Sequence, residues 1–123
     1  MYEIIFYEDK YGNSPVEQFI DQLESIADDN KDARILLGNI AYCLERLEDA
    51  GTRSGSKFTK HIRGRIWEVR PKDHRIFFFG CHRNRLVLLH YFRKETDKTP
   101  SREIEIAEKR MIDWMERLGS DGH

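Results

Sequence analysis

Cysteine is nearly missing from this chain, and its two copies, Cys43 and Cys81, cannot build a disulfide framework. One falls in a helical pattern and the other at the end of a strand pattern. Free, half-buried thiols in a reducing compartment are therefore expected. No apolar run approaches the ~20 residues that cross a bilayer. Met1–Tyr7 is too short for a secretory leader and contains Glu3, so a cytoplasmic protein with no membrane partner is expected. His61, His74 and His82 are scattered without a ligand spacing, which argues against a metal site. Internal repeats and low-complexity segments are lacking too. Hydrophobic residues make up only 39%, yet seven Phe, five Tyr and two Trp supply the bulk of one core. A length of 123 residues suits a single domain over 1–123.

What is abundant is charge, at 35% of residues, and it is unevenly placed. Residues 53–102 carry fourteen Lys/Arg against four Asp/Glu, a balance of +10; the rest carries seven against eighteen, or −11. Such a split points to a polyanion or an acidic partner on one surface. Neutralisation across helix–sheet contacts is the alternative, although surface ion pairs alone contribute little.

Tyr2–Tyr7 is short, β-branched and aromatic, and predicts a strand. Asp9, Gly12 and Asn13 supply a turn. Ser14-Pro15-Val16-Glu17 predicts a capping box and a proline at the first position of a helix ending near Asp28–Asn30. Ile35, Leu36, Ile40, Cys43, Leu44 and Leu47 mark a second helix, stopped by Gly51. Gly38 inside it suggests close packing on the first helix. Thr52–Ser56 reads as a flexible polar connection. Thr99-Pro100 repeats the cap-then-proline start, before a third helix marked by Ile104, Ala107, Met111, Trp114 and Leu118. Gly119–His123 reads as a loose tail.

Between these helices lie three apolar runs, Ile66–Val69, Ile76–Phe79 and Leu86–Phe92, separated by turn-sized gaps at 71–74 and 80–85. They predict an antiparallel meander. The expected class is α+β in the order β-α-α-β-β-β-α: a small sheet, joined by the N-terminal strand, with the helices packed on one face. Alternation places Trp67 with Val69, opposite Ile66, Glu68 and Arg70; Arg75 shares a face with Phe77 and Phe79. On the last strand, strict alternation groups Val87, Leu89, Tyr91 and Arg93 against Leu86, Leu88, His90 and Phe92. Glu68, Arg70, Arg75 and a group from Tyr91–Lys94 then converge at one end of the sheet, if its open face is concave.

Four pieces in order, Ile66-Trp67-Glu68-Val69-Arg70, Arg75-Ile76-Phe77-Phe78, Leu88 to Lys94, and Lys98-Thr99-Pro100 followed by Glu103-Ile104 and Ala107, resemble the RelE/HigB type of bacterial toxin, most of all the phage-associated HigB branch. The resemblance implies a RelE-like fold and a small, metal- and cofactor-free endoribonuclease that cuts mRNA on the ribosome. The ribose 2′-hydroxyl attacks the adjacent phosphate, leaving a 2′,3′-cyclic phosphate and a 5′-hydroxyl. It implies a helix-turn-helix, HigA-like antitoxin as partner, with operator DNA bound only through it. Arg75 matches the family's catalytic arginine and Arg70 its neighbour, while Arg93 or Lys94 matches the basic residue of the last strand. Glu68 stands where RelE carries a lysine, and RelE's C-terminal tyrosine has no counterpart in this chain.

Metal-free RNA cleavage needs a base, an acid and cations around the phosphorane. Arginine suits the last role, being always charged and able to bind phosphate through paired hydrogen bonds. Glu68, His90 and Lys60 are the candidate bases. Glu68 reads equally as a salt-bridged positioner, and His90 as a core histidine. Lys57, Lys60, Arg63, Arg65 and Lys98 are candidate RNA-contacting cations, and Trp67 and Tyr91 candidate stacking platforms, with Trp67 as a core residue the alternative. The Lys57–Arg65 run also reads as a solvated edge strand whose lysines discourage sheet association. Two other classes fit the composition: a non-catalytic nucleic-acid-binding or regulatory phage-derived domain on the same fold, and a purely structural interaction module. An antitoxin has two surfaces to use, the basic sheet face or the acidic first hairpin with Asp21, Glu24, Asp28, Asp29 and Asp32.

Overall fold

The computed structural model describes residues 1–118, so the expected loose tail Gly119–His123 lies outside the described residues. The elements are β1 (Glu3–Phe6), α1 (Pro15–Ile26), α2 (Lys31–Ala50), a 3-10 turn (Gly51–Ser54), β2 (Thr59–Arg63), β3 (Ile66–Val69), β4 (His74–Cys81), β5 (Arg85–Arg93) and α3 (Ser101–Arg117). The α+β class and the expected order hold, with β2 added ahead of the meander as the edge strand. One five-stranded sheet runs β1-β5-β4-β3-β2. β1 joins it as expected, but parallel to β5, so the sheet is mixed.

Local chemistry explains the joints. Pro15 opens α1, whereas Ser14 donates its hydroxyl to the Tyr7 carbonyl (2.9 Å), so the expected capping box does not form. Asn30 breaks the chain between α1 and α2 because its side chain accepts from the Ala33 N–H (3.0 Å). Gly51 has φ +57°, and a Cβ there would come within 2.8 Å of the Tyr2 ring, which ties the end of α2 to β1. Gly38, by contrast, faces open space, so the expected close approach to α1 is not there. The Thr52–Ser56 connection, expected to be flexible, starts inside the 3-10 turn. Ser54 is buried, and its hydroxyl donates to the carbonyls of Gly51 (2.7 Å) and Arg46 (3.1 Å).

The helices do not share one face. α1 and α2 cover Val69, Ile76, Phe78, Leu86 and Leu88. α3 covers Ile66, Phe77, Phe79, Val87 and Leu89 from the other side, through Ala107 and Trp114. The physical reason is in the strands: four consecutive residues of β4 and five of β5 are buried, so both faces need cover. No open concave face remains on the central strands.

Strict alternation fails in β5. Phe77 pairs with His90 but Phe78 with Leu88, so Leu89 is an extra residue, a β-bulge. Leu89 and His90 both turn toward α3, and every residue after them changes side. Tyr91 joins the α1–α2 face and Phe92 the α3 face, the reverse of the expected grouping.

Candidate functional site

At the end of the sheet where β3 stops and β5 runs out, Arg70, Arg75, Lys94, Glu95, Thr96 and Asp97 line a cleft of about 370 Å³. That is within the ~300–1,000 Å³ of small-ligand sites. The register explains the convergence. Glu68 lies across from Phe77, and Arg75 across from Phe92. Glu68, Arg75 and Arg70 consequently meet on the α3 side of the sheet, beyond the end of the apolar core.

Glu68 is the floor of this cluster. Its side chain is 1% exposed, and its carboxylate sits 3.4 Å from Arg70 Nε and 3.6 Å from Arg75 Nε. Neither carboxylate oxygen has a hydrogen-bond partner among the described residues, nor does Arg75 Nε. Backbone carbonyls hold the guanidinium ends: Arg75 Nη1 donates to Lys72 O (2.9 Å) and His74 O (2.8 Å), and Arg70 Nη1 to Ser56 O (3.3 Å). Burial pulls the Arg75 pKa below its ordinary value, with Glu68 acting in the opposite sense. Arginine starts so high that the group stays charged. Each guanidinium is thus held at Nη1 by backbone carbonyls and drawn toward the Glu68 carboxylate, and both residues line the cleft, where an arginine can pair with an anion.

The bulge decides between Arg93, the last residue of β5, and Lys94 just after it. Lys94 lines the cleft, with its amino group 3.4 Å from the Thr99 hydroxyl. Arg93 turns to the α1–α2 side, where it donates to Asp73 (3.0 Å). His90 is buried between the sheet and α3. Its Nε2 is 2.7 Å from Glu103 Oε1, its Nδ1 is 3.2 Å from Arg110 Nη1, and burial lowers its pKa. A neutral ring donating from Nε2 and accepting at Nδ1 satisfies both neighbours, so His90 sits as a core histidine outside the cleft lining.

The candidate RNA contacts are dispersed. Arg63 forms an ion pair with Glu108 of α3 (2.8 Å). Arg65 donates to Gly80 O (2.8 Å) and lies over the Phe79 ring. Arg65 also reaches Met115 Sδ of α3 (3.3 Å), so both arginines link α3 to the sheet. Tyr91 is stacked on Phe19 with ring centroids 4.0 Å apart, which covers one of its faces. Lys57 lies over the Phe58 ring, and Lys98 is exposed in the loop after the cleft. Lys60 lies across from Glu68 on the edge strand, whereas Trp67 lies across from His61 and turns to the opposite, α1–α2 face; both border a separate groove at the sheet edge. Glu95, Thr96 and Asp97 belong to the cleft lining and were not singled out from the sequence; their only signal was an acidic interruption, KETDK, in a basic segment. Among the described residues, no three His, Cys, Asp or Glu side chains gather as a metal-holding group.

Residues 21–112 match the family model described as Phage derived protein Gp49-like (DUF891). The matched span takes in strands β2 to β5 and every residue that lines the cleft. No curated protein matches the chain.

Proposed function

The chain belongs to the phage-derived Gp49-like family, which is associated with toxin–antitoxin toxins, and we propose that it is the toxin of such a module, a metal-independent endoribonuclease that cuts mRNA in the translating ribosome. The supporting observation is the Arg70–Arg75–Lys94 cleft over a buried Glu68. Three cations held around a small cleft suit a phosphodiester. Their positions are set before substrate arrives, so little reorganisation accompanies the reaction.

In this reading the 2′-oxygen of the ribose forms a bond to the adjacent phosphorus and loses its proton. The bond from phosphorus to the 5′-oxygen breaks, and that oxygen leaves with a proton. The products are a 2′,3′-cyclic phosphate and a 5′-hydroxyl. Arg75 and Arg70 stabilise the phosphorane, on which more negative charge is concentrated than on the starting diester. Glu68 and His90 are too enclosed to take a proton from a ribose hydroxyl. Glu95 and Asp97 are the carboxylates open to the cleft, and they take the proton-handling role.

Neutralisation by a HigA-like helix-turn-helix antitoxin belongs to the same reading. The acidic α1–α2 turn, with Asp28 and Asp29 exposed and Ile26 47% exposed, is the docking surface that leaves the basic cleft uncovered. The test is production of the protein alone in bacteria, beside an Arg75→Ala variant verified as folded. Growth and protein synthesis stop with the wild type and continue with the variant. Uninterrupted protein synthesis in the presence of folded wild type rules the proposal out.

A further inference from the structure

A second cavity, of about 350 Å³, lies where α2 passes the start of β2 and the end of β3. Asn39, Tyr42 and Cys43 line it from one face of α2, being three and four residues apart. Lys57 and Phe58 line it from the entry to β2, and Arg70 and Lys72 from the turn after β3. Cys43 is buried, but Tyr42 is 51% exposed. The backbone of a mid-helix residue is covered by its neighbours, so most of that exposure is ring and hydroxyl. Tyr42 meets Phe58 at 5.6 Å between centroids and 59° between planes, so Phe58 does not lie flat upon it. Phe58 itself is half-buried and covered by charge, with the Arg46 guanidinium 4.6 Å and Lys57 Nζ 5.8 Å from its centroid. Lys57 and Lys72 are exposed. Among the described residues, no carboxylate lines this cavity or forms an ion pair with either lysine.

Arg70 lines both this cavity and the cleft. It is the first residue past β3, where the sheet no longer separates its two faces. Its backbone N–H donates to the Phe58 carbonyl (3.0 Å) in the wall of the second cavity, and its guanidinium reaches over Glu68 in the cleft. Lys72 has the same double position. Its φ of +54° is left-handed, and its carbonyl accepts from Arg75 Nη1 (2.9 Å), while the residue lines the second cavity. The two cavities are therefore neighbours around a single turn, Arg70–Lys72. A strand that leaves the cleft at Arg70 rounds the end of the sheet along cations.

We propose that this second cavity holds a nucleotide flanking the one that is cut, with its unpaired base stacked on Tyr42 and its phosphate between Lys57 and Lys72. This rests on the endoribonuclease reading and extends it from the scissile phosphate to a neighbouring nucleotide. An exposed ring beside cations that lack carboxylate partners binds single strands with little sequence preference, because every base has a π-face. An acidic peptide would use the lysines without needing the Tyr42 ring. An apolar side chain would meet a Phe58 ring already covered by charge.

The test uses the full chain and a labelled, single-stranded 2′-O-methyl RNA octamer, which cannot be cut, with binding followed by anisotropy. Tyr42→Leu weakens binding roughly 5- to 150-fold, the order for one base–aromatic stack. Tyr42→Phe, which keeps the ring, binds as the wild type does, and the loss in Tyr42→Leu disappears when the octamer's bases are replaced by abasic sites. Lys57→Ala with Lys72→Asn flattens the slope of log K against log salt by about 1.4; asparagine tolerates the left-handed backbone at 72. One octamer saturates each protein. Two octamers per protein overturn the proposal by making the cavity a site for a separate RNA. An octaglutamate that binds as tightly as the octamer, with the same loss in Tyr42→Leu, overturns it in favour of an acidic peptide. Binding that depends on Arg70 and Arg75 but is unchanged by Tyr42→Leu and by the lysine pair overturns the subsite and leaves the toxin reading standing. No binding of the octamer to the free protein also overturns the subsite, while growth arrest still decides the toxin reading by itself.

Discussion

Replacing Glu68 by Gln preserves shape and removes one buried charge. At 3.4 and 3.6 Å, each Glu68–Arg attraction is roughly 4–5 kcal/mol gross at an effective dielectric of 20. Desolvation of the carboxylate offsets several kcal/mol of that. Solvent also screens the Arg70 head, which is 32% exposed, more than the Arg75 head at 13%. Removing one member of a buried pair costs about 3–5 kcal/mol. The partial exposure of both arginines lowers the expected loss to about 2–4 kcal/mol. A domain of this size has about 5–15 kcal/mol of stability, so the variant still folds, with a melting temperature lower by roughly 6–20 °C. The glutamine N–H₂ group also meets guanidinium donors, so Arg75 loses its aim and cleavage falls by roughly 10²-fold, the order for a misplacement near 1 Å. Urea unfolding gives the stability change, and single-turnover cleavage on programmed ribosomes gives the rate. A double-mutant cycle with Arg75→Met isolates the pair. If Glu68→Gln unfolds at the wild-type urea midpoint, or cuts at the wild-type rate, Glu68 does not hold the arginines.

Three further outcomes are expected. Arg75→Ala lowers the single-turnover cleavage rate by ~10²–10³ while ribosome affinity changes far less, and Lys94→Ala lowers the rate much more than Arg93→Ala; equal losses at 93 and 94 would contradict the bulge register. The lowered pKa of His90 means the unfolded chain binds a proton below about 6.5 that the folded chain resists. Its contribution to stability is therefore present above that pH and is lost as pH falls, and urea midpoints from pH 7 to 5 should decline less steeply in His90→Gln. Tyr7 is pushed up to about 12 by burial first and then by its 2.6 Å hydrogen bond to Asp113. Its contribution is complete below pH 10 and disappears as pH rises toward 12, a loss in alkaline unfolding curves that Tyr7→Phe should abolish.

The amino-acid sequence by itself determined the main element types, their order and two of the clustered cations, Arg70 and Arg75. Helical stripes, Pro15, Gly51 and the β-branched runs are local features, and local sterics and apolar spacing decide them without reference to distant residues. Arg70 and Arg75 were legible because each follows from its place at the end of a short apolar strand. Tertiary structure decided the rest. A strand that is apolar on both sides shows no preferred face in its pattern, so the sequence left open that α3 would cover the face opposite α1 and α2. Register across neighbouring strands is a pairing property. The extra residue at Leu89, which sends Lys94 into the cleft and Arg93 away from it, carries no local signature such as a glycine. Glu68 shows the same limit most directly. Its residue type is compatible with a base in solvent or a buried anchor, and only the packing of Phe77 and the two arginines around it makes it an anchor.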